Sequence, residues 1–168
     1  NNFLVERNRF IKNGKHGFIV SKRCLNNIIR GNTSANNKLH GFMLHQDSNY
    51  NLMENNVAVN NTDNFVIYGS SLNTIKANKS YNPRSSHARL NAVSKQNFIQ
   101  NNIFYGGKRG VYLYDRIDGS LIEHNTFSHI KGEILTTRQA SRVLWLNNQI
   151  GNVHYKIADG DRVVFGPN

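Results

Sequence analysis

The sequence predicts an all-β fold, a right-handed parallel β-helix of about seven coils with 22 to 24 residues in each. Three observations carry that expectation. Two sequence anchors recur with one period along the whole chain. A short apolar strand follows the second anchor. Asparagine is in large excess.

The first anchor is an apolar residue followed three positions later by asparagine. It occurs as Val5 and Asn8, Ile29 and Asn32, Met53 and Asn56, Ile75 and Asn78, Ile99 and Asn102, Ile122 and Asn125, and Trp145 and Asn148. These asparagines are 24, 24, 22, 24, 23 and 23 residues apart. The second anchor reads His16-Gly17, His40-Gly41, Asp63-Asn64, His87-Ala88, Arg109-Gly110, Gly132-Glu133 and Tyr155-Lys156, and its second residue returns after 24, 23, 24, 22, 23 and 23 residues.

The strand behind the second anchor is Phe18-Ile19-Val20, Phe42-Met43-Leu44, Phe65-Val66-Ile67, Val111-Tyr112-Leu113 and Ile134-Leu135-Thr136. Its first and third positions are nearly always large and apolar and should point inward, so the second and fourth should point outward. The fourth positions read Ser21, His45, Tyr68, Ala92, Tyr114 and Thr137. A unit this short cannot bury its own apolar face. Stacking the coils about 4.8 Å apart buries it and pairs every backbone group. The recurrent asparagines then form an internal amide ladder. A leucine-rich solenoid has a similar period, but its leucine spacing is absent.

Asparagine numbers 28 of 168 residues and proline only two, which suits many short strands joined by tight turns. The length fits one domain over 1–168. Residues 157–168, with Asp159-Gly160-Asp161-Arg162, are expected to form a C-terminal cap. Asn1-Asn2-Phe3-Leu4-Val5 reads as the interior of a coil, so the chain is expected to be a fragment of a longer β-helix. No apolar run is long enough to span a bilayer. Cys24 is the single cysteine, which excludes an internal disulfide and fits a core or turn position.

The formal charge of +11 favours polyanions. Nucleic acid, an anionic membrane and an acidic polysaccharide all satisfy the charge, but no nucleic-acid-binding module is present. The predicted outward column carries His45, Tyr68 and Tyr114, with Met43, Val66 and Tyr112 beside it. Lys22, Arg23, Lys38, Arg89 and Arg116 flank the strands. Rings for sugar faces and cations for carboxylates are what an acidic sugar chain requires. The alternative is a solvated face with cross-coil stacking. His16, His40 and His87 share the second anchor and suit turn capping. No set of metal ligands accompanies them, and no calcium motif is present. Nucleophile elbows and phosphate loops are absent, and the few acids are scattered.

Lys15-His16-Gly17-Phe18-Ile19-Val20-Ser21-Lys22 resembles the K-H-G-x-I-V-S-R stretch of the mannuronan C5-epimerases of alginate biosynthesis. The resemblance continues through Asn37-Lys38-Leu39-His40-Gly41-Phe42-Met43-Leu44, Asn49-Tyr50-Asn51-Leu52 and Phe65-Val66-Ile67-Tyr68, to about Gly110-Val111-Tyr112. It implies a right-handed β-helix, periplasmic or extracellular, that inverts C5 of mannuronate residues in the polymer. No cofactor is expected, calcium being allowed but signalled by no motif, and other components of a polysaccharide export complex are the expected partners.

That chemistry needs a cation to neutralise the carboxylate, a base to remove the C5 proton, and an acid or water on the opposite face. The family's D-P-H-D segment would precede Asn1 by repeat alignment. Its carboxylate-neutralising arginine corresponds to Lys22, which keeps the charge and loses bidentate geometry. His45 shares the expected column of the family's histidine and is the candidate base, with Tyr68 as its acid partner. Arg23, Lys38, His40, Arg89, Tyr112, Tyr114 and Arg116 are the candidate substrate contacts. A polyuronate lyase and a non-catalytic carbohydrate-binding solenoid are the competing readings.

Overall fold

The computed structural model describes residues 2–151 and 154–167. Every described strand runs parallel to its neighbours, and no helix occurs among the described residues. The strands form three sheets along a right-handed β-helix of about seven coils, the hand expected for parallel crossovers. The first sheet has eight strands: Leu4–Glu6, Ile28–Arg30, Leu52–Glu54, Thr74–Lys76, Phe98–Gln100, Leu121–Glu123, Val143–Leu146 and Val163–Phe165. The second has seven, Arg9–Ile11, Thr33–Ala35, Val57–Val59, Lys79–Tyr81, Ile103–Tyr105, Thr126–Ser128 and Gln149–Ile150. The third also has seven, Phe18–Ser21, Phe42–His45, Asp63–Tyr68, Ser86–Asn91, Arg109–Asp118, Leu135–Ser141 and Tyr155–Lys156.

Asparagine shapes the corners in two ways. Between the first and second sheets each coil turns through one left-handed residue followed by an asparagine, buried in every coil but the first. Arg7, Gly31, Asn55, Ala77, Asn101, His124 and Asn147 take the left-handed position. Behind them Asn8, Asn32, Asn56, Asn78, Asn102, Asn125 and Asn148 form a continuous amide ladder, with side-chain bonds of 2.9 to 3.1 Å. Each interior rung also donates to a strand carbonyl one coil back, as Asn56 does to Ile29 at 2.8 Å. Two further ladders lie at the other corners. Asn13, Asn37, Asn61 and Asn64 make one, and Asn27, Asn51, Asn73 and Asn97 the other.

The core is a set of stacked columns. Ile29, Met53, Ile75, Ile99, Ile122 and Trp145 fill the inner face of the first sheet. Phe42 stacks on Phe65, and Phe104 and Phe127 lead to Trp145. The second sheet turns small residues inward in mid-stack, Ser34, Ala58 and Ser80. They leave room for polar groups from the start of the third sheet. Where a coil brings Ser34 too close for any side chain, that start is Gly17: a Cβ there would lie 2.0 Å from Ser34 Oγ.

The register corrects three sequence expectations. Ser86 pairs with Asp63 and Ala88 with Phe65, so His87 lies opposite Asn64 rather than in the column of His16 and His40. It points inward, fully buried between Ser80 Oγ at 2.6 Å and the Gly106 carbonyl at 2.8 Å. The outward fourth position in that coil is Asn91, opposite Tyr68, and not Ala92. Two coils on, Leu135 opposes Val111, so Arg138 takes the outward place and Thr137 is buried. The cause is coil length: a one-residue difference in the preceding turn moves the strand's start, and with period two every later side chain changes face.

The segment carrying Asp159-Gly160-Asp161-Arg162 leads into Val163–Phe165, which pairs with Val143–Trp145 and extends the first sheet. Cys24 is a free turn residue whose thiol meets the Ser21 carbonyl at 3.3 Å.

Candidate functional site

The outer face of the third sheet presents three columns. The first runs His16, His40, Asp63, Ser86, Arg109 and Glu133; the second Ile19, Met43, Val66, Arg89, Tyr112 and Thr136; the third Ser21, His45, Tyr68, Asn91, Tyr114 and Arg138. Residues more than twenty positions apart in sequence thereby become neighbours one coil apart.

The first two columns meet in a closed ionic cluster. The Asp63 carboxylate is fully buried and lies 2.8 Å from Arg89 Nη1 and 3.2 Å from His40 Nδ1. Its other oxygen accepts from the Ser86 backbone at 3.0 Å and from the Ser86 hydroxyl. Arg89 Nη2 reaches His40 Nε2 at 2.9 Å, spanning two coils. Val66, on the intervening coil, is fully buried although it occupies an outward position, and Met43 is nearly so. The Arg89 stem passes over that coil and covers apolar surface as long basic side chains do.

Burial alone would raise the Asp63 carboxyl. The His40 hydrogen bond, the Arg89 charge and Ser86 outweigh it and hold the group below the usual carboxylate range. Arg89 can only donate, so His40 Nε2 accepts its hydrogen bond, and His40 Nδ1 faces the Asp63 carboxylate. His16 packs against His40 with ring centres 5.0 Å apart. Burial, then the nearby charges of His40, His45, Lys15 and Arg89, push the His16 imidazole down.

The third column is open. His45 and Tyr68 are paired in register, and their rings lie 4.9 Å apart at 39°. His45 Nδ1 is tied to Ser21 Oγ at 3.0 Å, which fixes the ring and leaves Nε2 for another partner. Beyond the strand ends, Lys22 and Arg23 are both left-handed and exposed. With Gln46, Asp47 and Tyr68 they line an open cavity of about 580 Å3. Further along, Tyr114 accepts from Asn91 Nδ2 at 2.8 Å. Tyr112 stacks on Tyr114 and carries the Arg109 guanidinium over its ring, each at 4.7 Å.

The structure thus brings His45, Tyr68, Lys22 and Arg23 together, and joins His40 to Arg89 in the ionic cluster. It puts Tyr112 and Tyr114 on the same face two coils on. Arg116 sits on the far rim beside Asp115 at 3.1 Å, lining another cavity. Lys38 lies at the opposite corner, where its carbonyl accepts from Thr62 and Arg84. Sequence reasoning missed Asp63 and Ser86 as members of the site. The signal was present: Asp63 occupies the anchor position held one coil earlier by His40, and stacking alone puts the two in contact.

A family model described as "Periplasmic copper-binding protein (NosD)" matches residues 1–109 and 48–162. No curated protein matches by sequence. Among solved structures, the periplasmic alginate epimerase AlgG has a TM-score of 0.70 at 20% identity, covering 96% of this chain and 39% of that one. A double mutant of AlgG gives 0.75 at 19% identity, covering 92% and 39%. The A-module of Azotobacter vinelandii mannuronan C-5 epimerase AlgE4 gives 0.64 at 16% identity, covering 97% and 58%. At these identities the likeness is one of fold, and the chain spans about two-fifths of the AlgG structure.

The family description raises copper, and the donor set here does not fit it. No group of three or more His, Cys, Asp or Glu side chains able to hold a metal occurs among the described residues. The nearest approach, His16 beside His40, fails because Asp63 and Arg89 engage both His40 nitrogens.

Proposed function

The chain belongs to the NosD family, and from that premise we propose that it is a polyuronate-modifying β-helix that inverts C5 of mannuronate residues within a polymer. An acidic sugar chain lies along the outer face of the third sheet, in a periplasmic or extracellular setting. The observation that carries this reading is the His45–Tyr68 pair beside the cavity lined by Lys22 and Arg23. The net charge of +11 and the fold shared with AlgG and AlgE4 support it.

Each group has one task. Lys22 pairs with the sugar carboxylate and lets negative charge build there as the C5 proton leaves. His45 takes that proton at Nε2, in the tautomer that donates from Nδ1 to Ser21. The electron pair from the broken C–H bond moves into the carboxylate. The electron pair returns to carbon as water protonates C5 on the opposite face, and the proton held on His45 passes through Tyr68 to solvent, where it neutralises the hydroxide left by that water.

One feature favours a second reading. His45 and Tyr68 stack side by side and so reach a bound sugar from the same side. That arrangement suits β-elimination, in which the C5 proton is removed and the 4-linked oxygen is protonated without a change of face.

Incubating the chain with polymannuronate in deuterated water tests both. Deuterium at C5 with new guluronate signals and unbroken chains is the expected result. Unsaturated ends absorbing in the ultraviolet identify a lyase instead. Retention on an alginate affinity gel with neither product leaves a binding solenoid, and no retention overturns the polyuronate reading.

A further inference from the structure

The ionic cluster at Asp63 is closed, every charge meeting another within the protein. Two to four coils further along the same face the balance is different. Arg109, Tyr112, Glu133, Thr136, Arg138 and Lys156 line a cavity of about 350 Å3. Three of these side chains are cationic and one is anionic.

One carboxylate cannot balance three cations. Glu133 pairs with Arg109 Nε at 3.6 Å, and its own backbone N–H, then the charges of Arg109 and Lys156, hold its carboxyl below the usual range, but Arg109 Nε is buried without a hydrogen-bond partner. Thr136 lines the cavity, and its buried hydroxyl also lacks one. The Arg109 guanidinium rests over the Tyr112 ring, which orients it without using its donors. Arg138 and Lys156 are exposed at the rim. A surplus of cations with unused donors in a polar lining matches one ligand chemistry, a carboxylate on a polar body.

We propose that this cavity is a second carboxylate subsite, holding a uronate residue of the polymer several sugars away from the His45–Tyr68 pair. The assignment to a polymer rests on the polyuronate reading; the anion site itself rests on the cavity. The two sites share one face, and Thr136 stands in the column of Val66 and Arg89, so an extended chain following that face passes both. A subsite here lets remote binding energy hold the chain in register at the reacting sugar.

Glucuronate, glucose and polymannuronate of graded length serve as probes, with backbone amide NMR as the readout. Glucuronate is expected to shift the Thr136 and Lys156 amides saturably, and glucose to leave them unmoved. In the Arg138→Gln, Lys156→Gln double variant those shifts should vanish while the rest of the spectrum stays native. Long polymannuronate should lose about tenfold in affinity for that variant, and a trimer should lose nothing. If glucuronate moves neither amide in the parent chain, there is no carboxylate subsite. If glucuronate titrates but the polymer does not bind, the subsite stands and the polyuronate reading fails.

Discussion

Asp63 and Arg89, one coil apart and one column apart, lock together at 2.8 Å with the carboxylate wholly inside the protein. Arg89 then continues across a second coil to His40. This pair stitches three coils at the centre of the candidate face. A second arginine does similar work at the corner, where Arg84 reaches the carbonyls of Asn37, Lys38 and Asn60.

Replacing Asp63 with asparagine leaves Arg89 facing a neutral group in a covered site. The expected loss is about 3 kcal/mol, at the lower end for broken buried pairs because Arg89 keeps some solvent. Urea unfolding at neutral pH measures it. Because the folded carboxyl is held below its unfolded value of about 3.9, its contribution is complete above that pH and disappears as pH falls through the lower folded value. The Asp63→Asn variant should therefore have a flatter acid limb than the parent.

His87 gives a second pH effect in a different window. Burial drives its imidazole down to about 4, against the bond to the Gly106 carbonyl. The unfolded chain takes up this proton near 6.5 and the folded chain does not. Stability is complete above 6.5 and falls as pH drops toward 4, by on the order of 3 kcal/mol. A His87→Gln variant should lack that slope in unfolding curves taken between pH 4 and 7. A slope that survives the substitution assigns the effect to another group.

The amide ladder makes unequal demands on adjacent asparagines. Asn56→Ala removes a buried rung and strands partners on Asn32, Asn78 and Ile29, costing roughly 2–4 kcal/mol. Its neighbour Asn55 is left-handed at the surface, and the same position is Gly31 one coil earlier. Val93, a β-branched residue at φ 61, is strained by the same geometry. Val93→Gly should stabilise the chain by about 1 kcal/mol, read as a rise in the unfolding midpoint.

At the open column, His45→Ala and Tyr68→Phe should each lower C5 proton exchange about 100-fold with unchanged circular dichroism. The Lys22→Gln, Arg23→Gln double variant should also weaken polymannuronate binding about tenfold and reduce its salt dependence, and it should slow exchange at saturating polymer because Lys22 no longer neutralises the carboxylate. Unaltered exchange in both single variants removes His45 and Tyr68 from the mechanism.

The sequence by itself determined the coil. Its period, its parallel pairing, the inward apolar columns and the rung at Asn8, Asn32, Asn56 and their equivalents all follow from local repetition, because each coil meets only its neighbours. It also put His45 beside Tyr68, since each stands three residues after the phenylalanine that opens the apolar run of its coil. Tertiary structure alone decided what depends on a single inserted or missing residue. His87 turned inward, Arg138 took the face expected of Thr137, and Asn91 took the place of Ala92, because a strand's side chains alternate and one residue in the preceding turn exchanges the faces. Tertiary structure alone also brought Arg89 to Asp63 and His40. Arg89 is long enough to cross two coils, and no repeat pattern states which of the groups within its reach it will find buried.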